Sequence, residues 1–93
     1  MDKREARSIL SEILGELRMK PYGELRQRID HPEAREVTGS SGVVYQLEIQ
    51  VFWDDKPEKD LRVMVSIDDR GWRSYFPMTN DFILARDGSF VGE

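Results

Sequence analysis

The feature that most constrains the fold is the alternation of apolar and polar residues between positions 43 and 53. The odd-numbered positions are all apolar: Val43, Tyr45, Leu47, Ile49, Val51 and Trp53. Polar residues stand between them at Gln46, Glu48 and Gln50. Successive side chains of a β-strand point to opposite faces of the sheet, so this period of two predicts a long strand with one buried face.

A second strand with the same period follows at Leu61, Val63, Val65 and Ile67. The acidic, proline-containing stretch between the two strands, residues 54–60, has the composition of a hairpin loop. If Trp53 pairs with Leu61, the apolar residues of both strands meet on one side in three further pairs: Val51 with Val63, Ile49 with Val65, and Leu47 with Ile67. A slip of one residue would expose one of the two apolar sets, so the sequence specifies this register strongly.

The N-terminal segment has a helical period instead. Its apolar residues follow the i, i+3, i+4, i+7 spacing: Ala6, Ile9, Leu10, Ile13, Leu14 and Leu17. This spacing gathers them on one stripe of an amphipathic helix. Asp2 is a suitable N-cap, and Glu5 three residues later completes the pattern of a capping box. Gly15 costs about 1 kcal/mol relative to alanine inside a helix, and it marks either a close approach to the sheet or a tolerated weak point.

A second, short helix is predicted after Pro21, because proline is suited to the first turn of a helix. Tyr22, Leu25 and Ile29 then share one face. The sequence Asp30-His31-Pro32 ends this helix, since the residue before a proline is driven toward extended geometry. The two helices are therefore expected to form a bent lid over one face of the sheet.

The strands at the two ends of the sheet are specified less well. Residues 36–38 are predicted as a short first strand, joined to the long one by a flexible GSSG turn. Near the C-terminus, residues 82–85 and 90–91 flank Asp87-Gly88, which favours a hairpin. The alternative for residues 81–86 is a single helical turn.

The length of the glycine turn after the second strand decides which side chains of the following segment face the core. A loop of two or four residues sends Trp72 and Phe76 inward. It leaves Arg73 and Tyr75 outside, near Asp68 and Ser66. A loop of three residues would instead bury Arg73 without a partner, which costs free energy. We therefore expect the even loop.

Together these predictions give an α+β fold in two layers. An N-terminal helix, with a short second helix, packs on one face of an antiparallel meander of four to five strands. Residues 1–30 are helical and residues 34–93 form the sheet of one domain spanning residues 1–93, a length typical of one domain. No helix-length segment separates the strands, so parallel crossovers are not expected.

Composition excludes several classes of protein. The chain has no cysteine, which excludes a disulfide scaffold and a thiolate metal site. Hydrophobic residues make up 39% of the chain, a fraction too high for intrinsic disorder. The N-terminal sequence MDKREARSIL is charged and lacks an uninterrupted apolar stretch, so we expect a cytoplasmic protein with no signal peptide and no membrane contact.

The charge distribution argues against nucleic acid as a partner. Residues 1–30 carry seven basic and six acidic groups, or +1, and the rest carries seven basic and twelve acidic groups, or −5, which together give the net charge of −4. A protein with this charge repels polyphosphate. A partner protein with a basic surface is electrostatically more compatible with this acidic chain than a nucleic acid is.

The sequence offers no residue set for catalysis, cofactor binding or metal binding. His31 is the one histidine and belongs to a predicted exposed connector. The serines lack the G-x-S-x-G context of a nucleophile, and the glycines form no phosphate-binding motif. The acidic residues between 54 and 60 lack the alternating ligands and central glycine of an EF-hand. We therefore expect a protein that is not an enzyme and has no cofactor, and a metal- or carboxylate-dependent hydrolase is the least favoured alternative.

The outer face of the predicted sheet is the best candidate for a functional surface, because a single helical layer covers only one face. Its candidate interaction residues are Phe52, Arg62, Met64, Arg73 and Tyr75. Aromatic residues, methionine and arginine are enriched at protein interfaces, so binding of a partner protein or self-association is the leading interpretation. The alternative is that the outer face binds no partner and is an ordinary solvated face of an antiparallel sheet.

Single-stranded RNA is a different class of ligand for the same face, since aromatic and arginine side chains can stack on bases. The chain departs from that pattern in two respects. It has no RNP-like aromatic run, and Glu48 and Asp68 stand among the arginines.

Three segments resemble those of small uncharacterised bacterial α+β proteins: PYGELRQ, YQLEIQVFWDD and DFILARDGSFVGE. They are spread over most of the chain. The resemblance implies the α+β fold and a bacterial cytoplasmic setting, and it carries no assigned activity. In charge and predicted fold the chain is also similar to secretion chaperones and immunity proteins, which implies a role in binding another protein.

Overall fold

The computed structural model describes residues 2–69 and 78–93, in which the chain forms two helices followed by four strands. Their bounds are α1 (Lys3–Arg18), α2 (Tyr22–Arg26), β1 (Glu33–Thr38), β2 (Val44–Trp53), β3 (Leu61–Asp69) and β4 (Met78–Leu84). The strands form one sheet in the order β1-β2-β3-β4, and every neighbouring pair is antiparallel. The fold is therefore an α+β meander, as predicted, with four strands in the described residues.

The predicted register of the central hairpin is confirmed. Trp53 lies opposite Leu61, and three pairs follow in the expected order: Val51 with Val63, Ile49 with Val65, and Leu47 with Ile67. All eight side chains point to the same side. Seven of them are buried and Trp53 is half-buried, because the helices pack on this face.

Helix α1 begins as its capping signal predicts. The Asp2 carboxylate accepts hydrogen bonds from the backbone N–H groups of Arg4 (3.0 Å) and Glu5 (3.1 Å). Gly15 is exposed, and a Cβ atom built on it would meet no atom within 4 Å. A close approach of Gly15 to the sheet is therefore wrong, and the glycine is a tolerated weak point of the helix.

Helix α2 follows Pro21 and is fixed by one buried side chain and one hydrogen bond. Leu25 is fully buried in the core, and Tyr22 packs against this core from the same helix. Ile29, predicted on the same helical face, lies beyond the end of α2 and forms an isolated parallel bridge with Val51. The Tyr22 hydroxyl donates a 2.5 Å hydrogen bond to the carbonyl of Lys59, in the loop between β2 and β3. This short helix thereby closes one end of the helical layer.

The core lies between the helical layer and one face of the sheet. Helix α1 packs on β3 and β4, and α2 packs on β2 and β3. The buried apolar residues come from both helices and from β2, β3 and β4: Ala6, Leu10, Ile13, Leu14, Leu17, Leu25, Tyr45, Leu47, Ile49, Val51, Leu61, Val63, Val65, Ile67, Phe82 and Leu84. Neither helix in the described part of the chain is long and apolar enough to cross a membrane.

The first strand is longer than the sequence indicated. Strand β1 begins at Glu33 rather than at residue 36, and its first three residues pair with Ile49, Glu48 and Leu47. Glu33 and Arg35 are charged, which weakened the strand signal. Arg35 is nevertheless stabilised there, because its guanidinium is paired with both Glu33 and Glu16.

The register of the last strand places Thr79 directly opposite Ser66. Residues 81–84 belong to β4, so the strand interpretation of this segment is correct and the helical turn is wrong. The orientations predicted for Trp72, Arg73, Tyr75 and Phe76 fall outside the described residues.

The predicted C-terminal hairpin is present as a short bridge. Leu84 pairs with Phe90, and the Ala85 backbone N–H donates to the Ser89 carbonyl at 2.8 Å. Gly88 in the turn has φ of 90°, a conformation that glycine adopts readily and other residues rarely. The C-terminal residues are thereby folded back onto the end of β4.

Candidate interaction face of the sheet

We define the outer face as the side of the sheet that points away from α1 and α2. Pleating places every second residue of each strand on it, and the observed registers align these residues in rows across the strands. Within the described residues they are Ala34, Glu36, Thr38, Val44, Gln46, Glu48, Gln50, Phe52, Arg62, Met64, Ser66, Asp68, Thr79, Asp81 and Ile83.

One end of the outer face is largely apolar. Phe52, Arg62 and Ile83 lie side by side in one row across β2, β3 and β4. Met64 lies in the next row. All four side chains are half-buried. We call these four residues the apolar half of the outer face.

Arg62 is held in place by two carboxylates. Its Nε donates to Asp54 Oδ1 at 2.9 Å, and its Nη1 donates to Asp81 Oδ2 at 2.6 Å. The hydrogen bonds that Arg62 donates to Asp81 and then to Asp54 raise its pKa above the usual value. Its side chain is 30% exposed. The guanidinium is therefore already neutralised, and its stem supports the apolar residues on either side.

The other end of the outer face is acidic. Gln46, Glu48, Ser66 and Asp68 surround a shallow depression of about 210 Å³, with Ala34 at its edge. We call these four residues the acidic half. Asp68 Oδ1 is shielded from solvent and has no hydrogen-bond partner among residues 2–69 and 78–93. A buried polar atom without a partner is rare in folded proteins and calls for an explanation.

The outer face as a whole is negative in its described part. It carries the carboxylates of Glu36, Glu48, Asp68 and Asp81 and one guanidinium, that of Arg62. Such a surface attracts cationic groups and repels phosphates.

Three of the five sequence-predicted interaction residues lie together on this face: Phe52, Arg62 and Met64. Arg73 and Tyr75 lie outside the described residues. Sequence reasoning missed Ile83, because its position follows only from the register of β4. Sequence reasoning also missed the depression beside Ala34, because the predicted first strand began at residue 36 and did not include Ala34. The alternation in the sequence places Asp68 on the outer face but does not reveal that one of its oxygens is buried.

The polar residues that could support catalysis are dispersed or already paired. His31 is exposed in the connector between α2 and β1, as predicted. In the loop between β2 and β3, Asp54 binds Arg62 and Glu58 binds Arg26. Across residues 2–69 and 78–93, no group of three or more histidine, aspartate or glutamate side chains is placed to hold a metal ion.

Comparisons with protein-family models, with curated proteins and with solved structures give no match to this chain. The resemblance to small bacterial α+β proteins therefore stays a prediction, and the candidate site depends on the geometry of the outer face alone.

Proposed function

We propose that this protein is a non-catalytic protein-interaction domain that binds a basic segment of a partner protein on the outer face of its sheet. The observation that carries the proposal is the asymmetry of the two sheet faces. The helices bury one face of β2, β3 and β4, whereas the other carries Phe52, Met64 and Ile83 with no described element above them. Methionine and aromatic side chains are enriched at the centres of protein interfaces.

The charge of the outer face favours a different protein over a second copy of this chain. Two copies joined face to face would bring together two surfaces that each carry more carboxylates than cations in their described part. Like charges brought together across an interface oppose association. A partner with lysine or arginine at its surface has the complementary charge.

The dimensions of the face limit the partner segment to about one helix or one pair of strands. The axes of β1 and β4 are about 14 Å apart, since neighbouring strands lie about 4.8 Å apart. An α-helix with its side chains is about 10 Å across. One helix therefore fills the width of the sheet, which agrees with a modest interface of the transient kind.

Methionine oxidation in a purified complex tests the proposal directly. Met64 lies on the outer face and Met19 is 86% exposed on the helical side. We expect a partner co-purified from the native cell to protect Met64 from oxidation and to leave Met19 reactive. The double variant Phe52→Ser, Met64→Ser should lose the partner, whereas Met19→Ser, the matched control, should retain it. Protection of Met19 instead of Met64, or capture by the double variant, would refute the proposal.

Single-stranded RNA has less support as a ligand. Arg62 is paired with two carboxylates, and Glu48 and Asp68 lie on the same face, where they repel phosphates. Binding of an oligonucleotide that weakens steeply with added salt and is lost in Phe52→Ser would replace the protein-binding proposal with this one.

A further inference from the structure

We infer that the partner segment is an amphipathic helix that crosses the strands of the outer face, from a cavity beside Phe52 to Val91 of the C-terminal segment. This inference rests on the proposed function and adds to it the conformation of the partner, its orientation and its two end contacts. Both ends belong to the row that contains Phe52, Arg62 and Ile83. Val91 lies beyond Ile83 on one side, and the cavity lies beyond Phe52 on the other.

Val91 extends this row by one residue beyond β4. Its backbone N–H donates to the carbonyl of Ile83 at 2.9 Å. The preceding residue, Phe90, forms an antiparallel bridge with Leu84 and packs against the core. Successive side chains of an extended segment point to opposite faces, so Val91 is placed on the outer face beside Ile83. Val91 is 41% exposed, and burial of this apolar side chain by a partner would favour binding.

Arg18 fixes the C-terminal segment from the opposite side of the sheet. Its guanidinium carbon lies 4.8 Å from the ring centroid of Phe82 and 4.7 Å from that of Phe90. Its two Nη atoms each lie 2.8 Å from a carboxylate oxygen of Glu93. A surface that is already ordered loses little conformational entropy when a partner binds. Arg18 is therefore a positioning residue for Val91, although it does not lie on the outer face.

The edge of β4 is closed to an added strand beside this row. The Asp81 backbone N–H donates to the side-chain oxygen of Asn80 at 2.8 Å, and the Ile83 carbonyl already accepts from Val91. Strand addition needs free backbone groups at a sheet edge, whereas a helix binds through the side chains of one apolar stripe. A partner therefore reaches the row through the face of the sheet, which favours a helix.

A cavity lies at the other end of the row, where β1 is missing. Continuing the pairing of β1 with β2 beyond Glu33 and Ile49 would place Asp30 opposite Phe52. Asp30 instead has φ of 64°, which lies in the left-handed region and outside strand geometry. The space left has a volume of about 210 Å³, and its lining includes Asp30, Pro32 and Phe52. A cavity of about 150 Å³ holds a benzene ring, so one aromatic or large aliphatic side chain of the partner fits.

The distance between the two ends sets the spacing of the partner's anchors. Four strand spacings separate the missing position of β1 from the C-terminal segment, or about 19 Å. An α-helix rises about 1.5 Å per residue and covers this distance in roughly 13 residues. The partner is therefore expected to carry two large apolar residues on one helix face, about 11–14 positions apart. A lysine or arginine is expected near the anchor in the cavity, because the exposed carboxylate of Asp30 attracts a cation.

Peptides of about 16 residues, roughly four helical turns, selected on the whole protein from a random displayed library are the probe. Only peptides that fail to bind Phe52→Ser, Met64→Ser are kept, so that every peptide tested binds the outer face. We expect Val91→Ser to weaken these peptides about fivefold or more, because an anchor loses its apolar contact. Asp30→Asn should weaken them about threefold or more, and asparagine tolerates the left-handed conformation. Met19→Ser, on the exposed helical side, is the matched control and should leave binding unchanged.

Double-mutant cycles locate the ends of the helix and distinguish positioning by Arg18 from a structural role. One apolar peptide residue should lose nothing further on Val91→Ser when it is changed to alanine. The lysine or arginine coupled in the same way to Asp30→Asn should lie about 11–14 positions away. Arg18→Ala should weaken binding in the wild type and cause no further loss in Val91→Ser. A general loss of stability would instead weaken binding equally in both backgrounds.

The outcomes separate the two proposals. If no selected peptide is lost on Phe52→Ser, Met64→Ser, the proposed function is overturned together with this inference. Peptides that are lost on that double variant but bind Val91→Ser and Asp30→Asn as tightly as the wild type would overturn the crossing helix and leave the proposed function standing. Sensitivity to only one of these two variants would overturn the crossing helix as well, because a helix across the strands contacts both ends.

Discussion

The hydroxyl of Tyr45 donates a 2.9 Å hydrogen bond to Oε1 of Glu5 and so joins the beginning of β2 to the first turn of α1. The same carboxylate accepts three hydrogen bonds from the turn between β1 and β2. These come from the Ser40 hydroxyl (3.1 Å), the Ser41 backbone N–H (3.0 Å) and the Ser41 hydroxyl (2.6 Å). Glu5 thereby fixes the helical layer to the sheet at one end.

Loss of the Glu5 carboxylate should reduce stability at neutral pH and remove part of its acid dependence. Hydrogen bonds from Ser41 and Tyr45 lower the pKa of Glu5 from 4.5 to about 2. A lowered pKa in the folded state stabilises the protein above pH 4.5, and this contribution is lost as the pH falls toward 2. In urea unfolding across this range, the free-energy difference between the wild type and Glu5→Gln should shrink as the pH falls. Glu12→Gln controls for the loss of a helical charge, and a difference that does not vary with pH would contradict this role of Glu5.

Tyr45 should make the protein sensitive to alkali. Burial, and then the hydrogen bond to Glu5, raise the pKa of Tyr45 from 10.0 to about 12. Between these values the unfolded chain loses the phenolic proton and the folded chain keeps it, so stability falls as the pH rises. In the variant Tyr45→Phe this part of the decline should be absent when unfolding is followed by circular dichroism. Equal alkaline slopes for the two proteins would show that Tyr45 titrates alike in both states.

Arg18 should hold the C-terminal segment through aromatic rings more than through its ion pair. Its guanidinium carbon lies 4.8 Å from the ring centroid of Phe82 and 4.7 Å from that of Phe90. Its Nη1 also donates to Glu93 at 2.8 Å. We expect Arg18→Ala to lower the free energy of unfolding by about 1–2 kcal/mol, and Glu93→Gln by less than about 0.5 kcal/mol. Denaturant titrations of the two variants measure these losses. A larger loss for Glu93→Gln than for Arg18→Ala would show that the ion pair, and not the aromatic contact, holds the C-terminal segment.

Two glycine-to-alanine substitutions should have opposite effects on the stability of the protein. Gly15→Ala adds a Cβ atom that meets nothing within 4 Å, so it should stabilise the protein by about 0.5–1 kcal/mol through helix propensity. Gly88→Ala also has open space, but its φ of 90° is strained for alanine, and it should destabilise by about 1 kcal/mol or more. Thermal unfolding of both variants tests the pair. A stabilising Gly88→Ala would mean that the turn changes conformation to accept the side chain.

Neighbouring positions on β3 should differ sharply in their tolerance of a charge. Val65 is fully buried beneath the helices, whereas Met64 is half-buried on the outer face opposite Asp81. Val65→Lys places an unpaired charge in the core and should unfold the domain, because its cost is comparable to the total stability of about 5–10 kcal/mol. Met64→Lys should remain folded. Amide NMR spectra distinguish the two, and a dispersed spectrum for Val65→Lys would contradict the assignment of the faces.

Much of the fold could be predicted because its signals are local and repeated. Alternation over residues 43–53 and 61–67 specified both strands of the central hairpin, and the two apolar patterns admitted one register that buries both. Spacing and capping defined α1 in the same way. Glu5 shows the limit of this reasoning. The capping pattern identified its position, but its carboxylate is bonded to a turn more than thirty residues away.

By itself, the sequence determined that the chain forms two layers and that β2 and β3 have one buried and one outer face, because a period of two or 3.6 is a property of neighbouring residues. Only the tertiary structure decided that β1 begins at Glu33, that Thr79 lies opposite Ser66, and that one oxygen of Asp68 is buried. These features depend on pairing between distant segments. Such pairing is selected by the packing and electrostatics of the whole sheet, and no local pattern records it.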